Sequence, residues 1–242
     1  DSAGLWIGNR DGQVVMNERG KVKSVVEGNG QAVINIREFK GVKYICTKEG
    51  LVVVEKNWAS RLALDHLIND IYFGKEYVYL GCNRLFAMNY ATFFSLINQN
   101  MKRDDLIEEL LQYQVYSSDV FCFESGSKND LFFGTSKGLY ACSGTKITFL
   151  GSKDKRLRAR IQDLEFLDET NELLIASNKF GLIVYQSGNV VNYGKGTGLD
   201  VDFCSAIHVD GKRIYIGTST GLYEMYTRNG KHFFKNVGHG LG

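Results

Sequence analysis

The feature that most constrains this chain is a repeat. Short apolar runs closed by a small or polar residue recur at Leu5-Trp6-Ile7-Gly8, Tyr44-Ile45-Cys46-Thr47, Val78-Tyr79-Leu80-Gly81, Leu131-Phe132-Phe133-Gly134, Leu173-Leu174-Ile175-Ala176 and Ile214-Tyr215-Ile216-Gly217. Aligned on Gly8, Cys46, Gly81, Gly134, Ala176 and Gly217, they stand 38, 35, 53, 42 and 41 residues apart by subtraction, a period near 41 with one insertion. Five are followed by a turn glycine: Gly12, Gly50, Gly138, Gly181 or Gly221. A fixed period of this size marks supersecondary units that bury their apolar faces only by stacking on their neighbours.

Each unit reads as four strands, here lettered a to d, and the last unit is the clearest. Asp202 to Val209 leads to a turn at Asp210-Gly211, Arg213 to Thr218 to a turn at Ser219-Thr220-Gly221, Leu222 to Thr227 to a turn at Asn229-Gly230, and then Lys231 to Val237. Asp-Gly and Asn-Gly between apolar runs are strong hairpin signals. The chain has 27 Gly and no Pro, so its tight turns fall to Gly, Asn and Asp, which tolerate positive φ. Four-stranded antiparallel units of about 40 to 45 residues are the period of propeller blades. The expected fold is therefore all-β, a β-propeller filling residues 1–242 as one domain, with five complete blades and one partial blade.

The ends carry a further expectation. Asp1 to Gly4 matches an a-to-b turn, and Gly238-His239-Gly240-Leu241-Gly242 resembles Gly194 to Leu199, which precedes strand a of the last unit. Both ends thus flank a missing strand a, whose absence would leave backbone groups unpaired, so the segment reads as an excerpt of a larger, multi-domain protein. The start, Asp1-Ser2-Ala3-Gly4, has neither a basic nor an apolar leader region, which suits a processed or excised segment and leaves localisation unread. No run of ~18 apolar residues offers a membrane span, so any membrane association falls to segments outside this chain.

The 53-residue interval holds the one sustained helical signal, between Ala91 and Gln114. Asp104 and Asp105 suit a helix start, and Leu106, Ile107, Leu110 and Leu111 form a stripe over Glu108 and Glu109. The expectation is an elaborated c-to-d connection that folds back on its own blade, with a partner-binding helix as the alternative. The five cysteines, Cys46, Cys82, Cys122, Cys142 and Cys204, are odd in number, lack CxxC spacing and sit in apolar runs. They are expected as buried free thiols with no disulfide and no zinc.

Leu5-Trp6-Ile7-Gly8-Asn9-Arg10-Asp11-Gly12, Phe133-Gly134-Thr135-Ser136-Lys137-Gly138-Leu139 and Ile216-Gly217-Thr218-Ser219-Thr220-Gly221-Leu222 resemble the LWIGT..GL repeat of two-component regulator propellers. The Gly-x-Gly-Leu stretch at Gly196 to Leu199 is similar to the same family. The resemblance spans all six units with differing quality: the unit at Asn83-Arg84-Leu85 lacks the turn glycine, and only Trp6 keeps the tryptophan. It implies a ligand-sensing domain in the periplasmic half of a bacterial hybrid histidine kinase or a related one-component regulator, of the Bacteroidetes type.

Candidate chemistry yields to the repeat. Gly134-Thr135-Ser136-Lys137-Gly138 and Gly217-Thr218-Ser219-Thr220-Gly221 both match G-x-S-x-G, yet they join strand to strand at equivalent places, whereas a nucleophile elbow joins strand to helix. Gly194-Lys195-Gly196-Thr197-Gly198 lacks the P-loop pattern and reads as a d-to-a connection. His66, His208, His232 and His239 show no metal-ligand spacing, and Asp200 and Asp202 have no third ligand at calcium-loop distance. No metal and no cofactor are expected, and a turn role suits the two aspartates.

Two function classes remain: a non-catalytic binding and signalling module, and a propeller enzyme acting on glycans as a lyase or hydrolase. An enzyme needs an acid and a base on loops of one end, and on the b-to-c turns Asp11 and Glu49 each stand beside a basic residue without forming a pair. The net charge of +2 excludes a global field of the kind a general nucleic-acid binder carries. Local charge is another matter. Because strands a to d alternate in direction, b-to-c turns and d-to-a connections emerge at one end of each blade. Those turns carry Arg10, Lys48, Arg84, Lys137 and Lys179, and the connection after Gly151 adds Lys153, Lys155, Arg156, Arg158 and Arg160. The expected ligand is an anionic oligosaccharide or an acidic partner surface such as a neighbouring propeller domain, with a second copy of the chain as a further partner. Nucleic acid is not expected, because no base-stacking array accompanies the charges.

Overall fold

A computed structural model of the protein describes residues 4–28, 30–55, 60–64, 67–99, 101–127, 130–228 and 230–238. His66, His239, the first residue of the Asn229-Gly230 turn and the stretches proposed to flank a missing strand lie outside the described residues, wholly or in large part. The chain divides into two compact units, Asp1–Asp119 and Val120–Gly242.

The first unit holds three sheets. The first is three-stranded, with β1 (Leu5–Gly8), β2 (Val14–Glu18) and β3 (Lys21–Val26). The second runs β4 (Val33–Phe39), β5 (Val42–Thr47), β6 (Leu51–Val54) and β7 (Ser60–Leu64). The third is β8 (Asp70–Phe73), β9 (Tyr77–Gly81) and β10 (Leu85–Asn89), then helices α1 (Tyr90–Asn98) and α2 (Arg103–Leu111), and β11 (Gln114–Tyr116). The second unit holds three four-stranded sheets: β12 (Val120–Ser125) to β13 (Leu131–Thr135), β14 (Gly138–Ser143) and β15 (Lys146–Phe149); β16 (Ile161–Leu167) to β17 (Glu172–Ser177), β18 (Leu182–Gln186) and β19 (Asn189–Tyr193); and β20 (Cys204–Asp210) to β21 (Arg213–Thr218), β22 (Gly221–Arg228) and β23 (Lys231–Asn236).

Every sheet is an antiparallel meander in chain order, and the fold is a β-propeller with five four-stranded blades and one three-stranded blade among the described residues. Each repeated apolar run is strand b of its blade. These runs are continuous rather than alternating because blades cover both faces; all five residues of β13 are buried. The core accordingly lies between successive blades. One cluster joins Tyr44, Cys46 and Leu51 to Ile71, Leu80 and Phe86, and another joins Leu174, Ala176 and Leu182 to Cys204, Ile207 and Ile216.

The helical insertion sits in the c-to-d connection of the third blade. Asn89 caps α1 by accepting from the Thr92 amide at 2.9 Å. Phe93, Leu96, Ile97, Leu106 and Leu110 are buried in the same cluster as the second and third blades, so the insertion folds back on the sheets. The expected stripe on α2 is narrower than its sequence: Leu111 is 44% exposed, because only the Leu106/Leu110 i, i+4 pair faces the sheets.

Turn chemistry differs in two places from expectation. In the last blade Asp210 ends β20 and pairs with Arg213, so the turn is Gly211-Lys212, with Gly211 at φ 60°. Of the five turn glycines, Gly12, Gly138, Gly181 and Gly221 have positive φ, but Gly50 does not. At Gly138 and Gly181 positive φ is only half of the reason for glycine. A Cβ at Gly138 would stand 2.2 Å from the Leu157 carbonyl oxygen, and one at Gly181 would stand 2.1 Å from that of Tyr193. Backbone crowding of this kind is separable from φ strain. Gly188→Ala, at φ 94° with open space around it, should cost ~1–2 kcal/mol of unfolding free energy. Gly138→Ala, at φ 125° and against Leu157, should cost more than about 3 kcal/mol in the same urea titration.

All five cysteines are free and buried. Burial pushes the thiol of Cys82 up to about 11 and that of Cys204 up to about 12, and raises Cys46 well above its ordinary value. Neutral, enclosed thiols are poor nucleophiles. A disulfide-exchange reagent at pH 8 should therefore find five thiols in the unreduced protein, all of them reacting only after denaturant is added.

Candidate functional site

One residue position organises the b-to-c end of every blade. It directly follows the small residue that closes strand b and is filled by Asn9, Thr47, Cys82, Thr135, Ser177 and Thr218. Its side chain ties the turn shut. Thr135 donates to the Gly138 carbonyl at 2.8 Å and accepts from the Lys137 amide at 3.0 Å. Thr47 and Thr218 make the same donation to Gly50 and Gly221, and Ser177 makes it to Gly181. Asn9 accepts from the Asp11 and Gln13 amides, while Cys82 donates to the Arg84 carbonyl and accepts its amide. In the G-x-S-x-G stretches the hydroxyls of Thr135 and Thr218 are thus structural, and each turn joins two strands.

In the second unit this end brings several cations together. The connection from β15 to β16 contains two short 3-10 turns, Leu150–Ser152 and Lys155–Arg158, anchored by buried Leu150 and Leu157. It lies on the Lys137 turn of its own blade, as the Gly138 approach to Leu157 requires, and at its far end the Arg160 carbonyl accepts from the Asn178 amide of the next blade's turn at 3.1 Å. The Lys137 turn, the connection and the Lys179 turn therefore form one continuous surface.

The basic residues of that surface do two different things. Arg156 is held by Asp154, with Nε 2.9 Å from Oδ1 and a terminal nitrogen 2.6 Å from Oδ2, and it also donates to the Asn192 side chain of β19 at 3.3 Å. Asn192 in turn donates to the Phe180 carbonyl at 3.3 Å, beside Lys179. The Asp154 carboxyl is held below its ordinary value, chiefly by the Arg156 side-chain hydrogen bond, and Arg156 is raised by the same bond. Arg158 donates Nε to the Gly151 carbonyl at 2.7 Å, and Arg160 lies 4.2 Å above the Phe121 ring. Lys137, Lys153 and Lys155 are exposed and have no ion-pair partner among the described residues; Lys179 is exposed and stands 5.7 Å over Phe180. Of the triplet Lys155, Arg156 and Arg158, the two arginines thus brace the connection while the lysine is open.

The first unit places Arg10, Lys48 and Arg84 on the b-to-c turns of its three blades. Arg10 and Lys48 are exposed, whereas half-buried Arg84 donates to Gln114. The inner strands carry a feature that sequence reading missed. Asp70 is fully buried and accepts from Arg37 twice at 2.8 Å and from Asn35 at 2.8 Å, joining β4 to β8. Asp163 likewise accepts the Ile207 amide at 2.8 Å, joining β16 to β20. An Asx residue in strand a, paired opposite the small residue of strand b as Asn35, Asp70 and Asp163 are, is the available sequence signal, but strand a is the least regular run of the repeat.

Other candidates resolve into scaffold. His208 is exposed; the His232 ring is 5% exposed, 2.8 Å from the Thr227 hydroxyl and 3.5 Å from Glu172. Asp202 accepts the Lys195 amide at 2.8 Å and holds the last d-to-a connection. Among the described residues no group of three or more His, Cys, Asp or Glu is placed to hold a metal.

No family model matches the chain. No curated protein matches it either. Solved structures do. The chain is similar to the extracellular domain of the hybrid two component system BT4673 from B. thetaiotaomicron, with a TM-score of 0.67 and 12% identity over 98% of this chain and 33% of that one. It is similar to the corresponding domain of BT3049 from the same organism, with a TM-score of 0.51 and 14% identity over 98% of this chain and 40% of the other. The WD40 β-propeller domain of Doa1 gives a TM-score of 0.68 at 13% identity, covering 98% of this chain and 80% of that one. This chain spans about a third of the length of the BT4673 domain. The two-component sensor propellers that the repeat residues resemble are thus among its structural neighbours.

The Asp154–Arg156 bond has a pH signature. A carboxyl whose pKa is lower in the folded state stabilises fully above its unfolded value of about 3.8, and the contribution is lost as pH falls through the folded value. Asp154→Asn should lower the urea midpoint at pH 7 by an amount worth ~1 kcal/mol, and the difference from the parent should shrink below pH 4.

Proposed function

We propose that this chain is the ligand-sensing β-propeller of a bacterial two-component or related signalling regulator, acting without chemistry of its own on the periplasmic side of the membrane. The observation that carries the reading is the continuous cationic surface of the second unit, where Lys153 and Lys155 stand exposed on a connection braced by Asp154, Arg156 and Asn192, and Lys137 and Lys179 stand exposed on the turns beside it. The braced connection holds its lysines with little conformational freedom to lose on binding. A cluster of this sign suits an anionic oligosaccharide or an acidic partner surface. Arg10 and Lys48 supply the same chemistry on the turns of the first unit, beside Arg84, which is engaged by Gln114.

The signalling context comes from the likeness to extracellular domains of hybrid two component systems. Periplasmic placement follows that likeness, and among the described residues no helix is long and apolar enough to cross a membrane. A non-catalytic role is supported by the fate of Asp154, the carboxylate within the cationic connection. Two hydrogen bonds from Arg156 keep it ionised and occupied, which is the opposite of what a general acid needs.

Calorimetric titration with chondroitin sulfate and homogalacturonan oligosaccharides, alongside neutral malto-oligosaccharides, checks this reading. The anionic probes should bind, with affinity falling as salt rises, and Lys137→Ala/Lys155→Ala/Lys179→Ala should weaken them about tenfold or more. Preference for the neutral probe, salt-independent binding, or release of new reducing ends or unsaturated products would refute it.

A further inference from the structure

The opposite end of the second unit carries a cleft that the function above does not use. It lies between the fifth and sixth blades, at their a-to-b turns, and has a volume of about 450 Å³. That is within the range of sites that enclose small organic ligands. Its floor is apolar: Leu167 from β16, Val209 from β20, Ile214 from β21 and Met225 from β22. A pocket of this composition is occupied favourably by an apolar body, since water in it gives up hydrogen bonds.

The rim decides what else the ligand carries. Asp168 and Glu169 occupy the turn between β16 and β17, are exposed, and have no ion-pair partner among the described residues. The neighbouring acid is already engaged: Glu172 accepts from the Thr170 hydroxyl at 2.7 Å and lies 3.5 Å from His232. The Thr227 hydroxyl on the facing blade is likewise taken, 2.8 Å from His232 Nδ1. Lys212 is the single cation of the lining. The free charges therefore favour a positive ligand. Ammonium groups are attracted to carboxylates.

We propose that this cleft binds an organic amine carried on an apolar or aromatic body, the body on the Leu167, Ile214 and Met225 floor and the ammonium at Asp168 and Glu169. The site is separate from the cationic surface and does not depend on the sensing role assigned to it.

The test uses tryptamine, with its neutral isostere tryptophol and the anion indole-3-acetate, titrated into the protein by calorimetry and by ligand-observed NMR. Tryptamine should bind at least about tenfold more tightly than either isostere. Asp168→Asn/Glu169→Gln, which alters only exposed side chains, should abolish that preference, while Ile214→Trp should block all three probes. Lys137→Ala/Lys179→Ala should leave tryptamine binding unchanged, which separates this site from the cationic one. No tryptamine binding, equal affinity for the three probes, or a double variant that keeps the preference would overturn the proposal.

Discussion

Successive blades of this propeller approach each other where there is no room for a methyl group. Gly138 lies against the Leu157 carbonyl and Gly181 against that of Tyr193, so each d-to-a connection runs directly over the second turn of the blade it leaves. Where strand b closes, Gly8 lies against Val33 of the next blade and Gly134 against Ile161, with a built Cβ 2.4 Å and 2.7 Å from the neighbouring side chain. The small residue of the repeat is thus an interface residue. It lets the following strand a close over the blade, which is how the clusters between blades become buried.

The same closeness explains the variation among the repeats. What a blade needs after strand b is a side chain that can both accept an amide and donate to a carbonyl of its own turn, and hydroxyls at Thr47, Thr135, Ser177 and Thr218 do this within about one residue of each other in geometry. In the third blade Cys82 performs the task with sulfur, and the turn glycine is dispensed with. The departure of that blade from the repeat is therefore a different solution to one hydrogen-bonding requirement.

How much of this was legible in the sequence follows from which interactions are local. Strand b, the helical insertion and the free cysteines are set by contiguous apolar runs, and they stand where those runs place them. The end of a blade at which a residue emerges is equally legible, because strand alternation decides it. Which cations remain open is not. Arg156 looks like Lys155 in sequence, yet it is engaged by Asp154 two residues away and by Asn192 on another strand. Only the nearer of those partners leaves a local trace, as the acid that caps the 3-10 turn. Gly50 misled in another way: Thr47 ties its turn as in the other blades, yet the glycine there does not take positive φ. The cleft between the fifth and sixth blades is built from residues of four strands and had no sequence signature at all.

The b-to-c end of the second unit combines rigidity with open charge, since its arginines are spent on bracing a connection whose lysines stay open. The opposite end of that unit has free carboxylates over an apolar floor, so an anion has one end at which to dock and a reason to avoid the other. Amide hydrogen exchange with and without a saturating chondroitin sulfate oligosaccharide measures that choice residue by residue. Protection should appear at Ser136-Lys137, through Lys153 to Lys155 and at Asn178-Lys179; protection confined to Asp168 through Thr170 and Gly211-Lys212, or none anywhere, would contradict the assignment of the cationic surface as the sensing site.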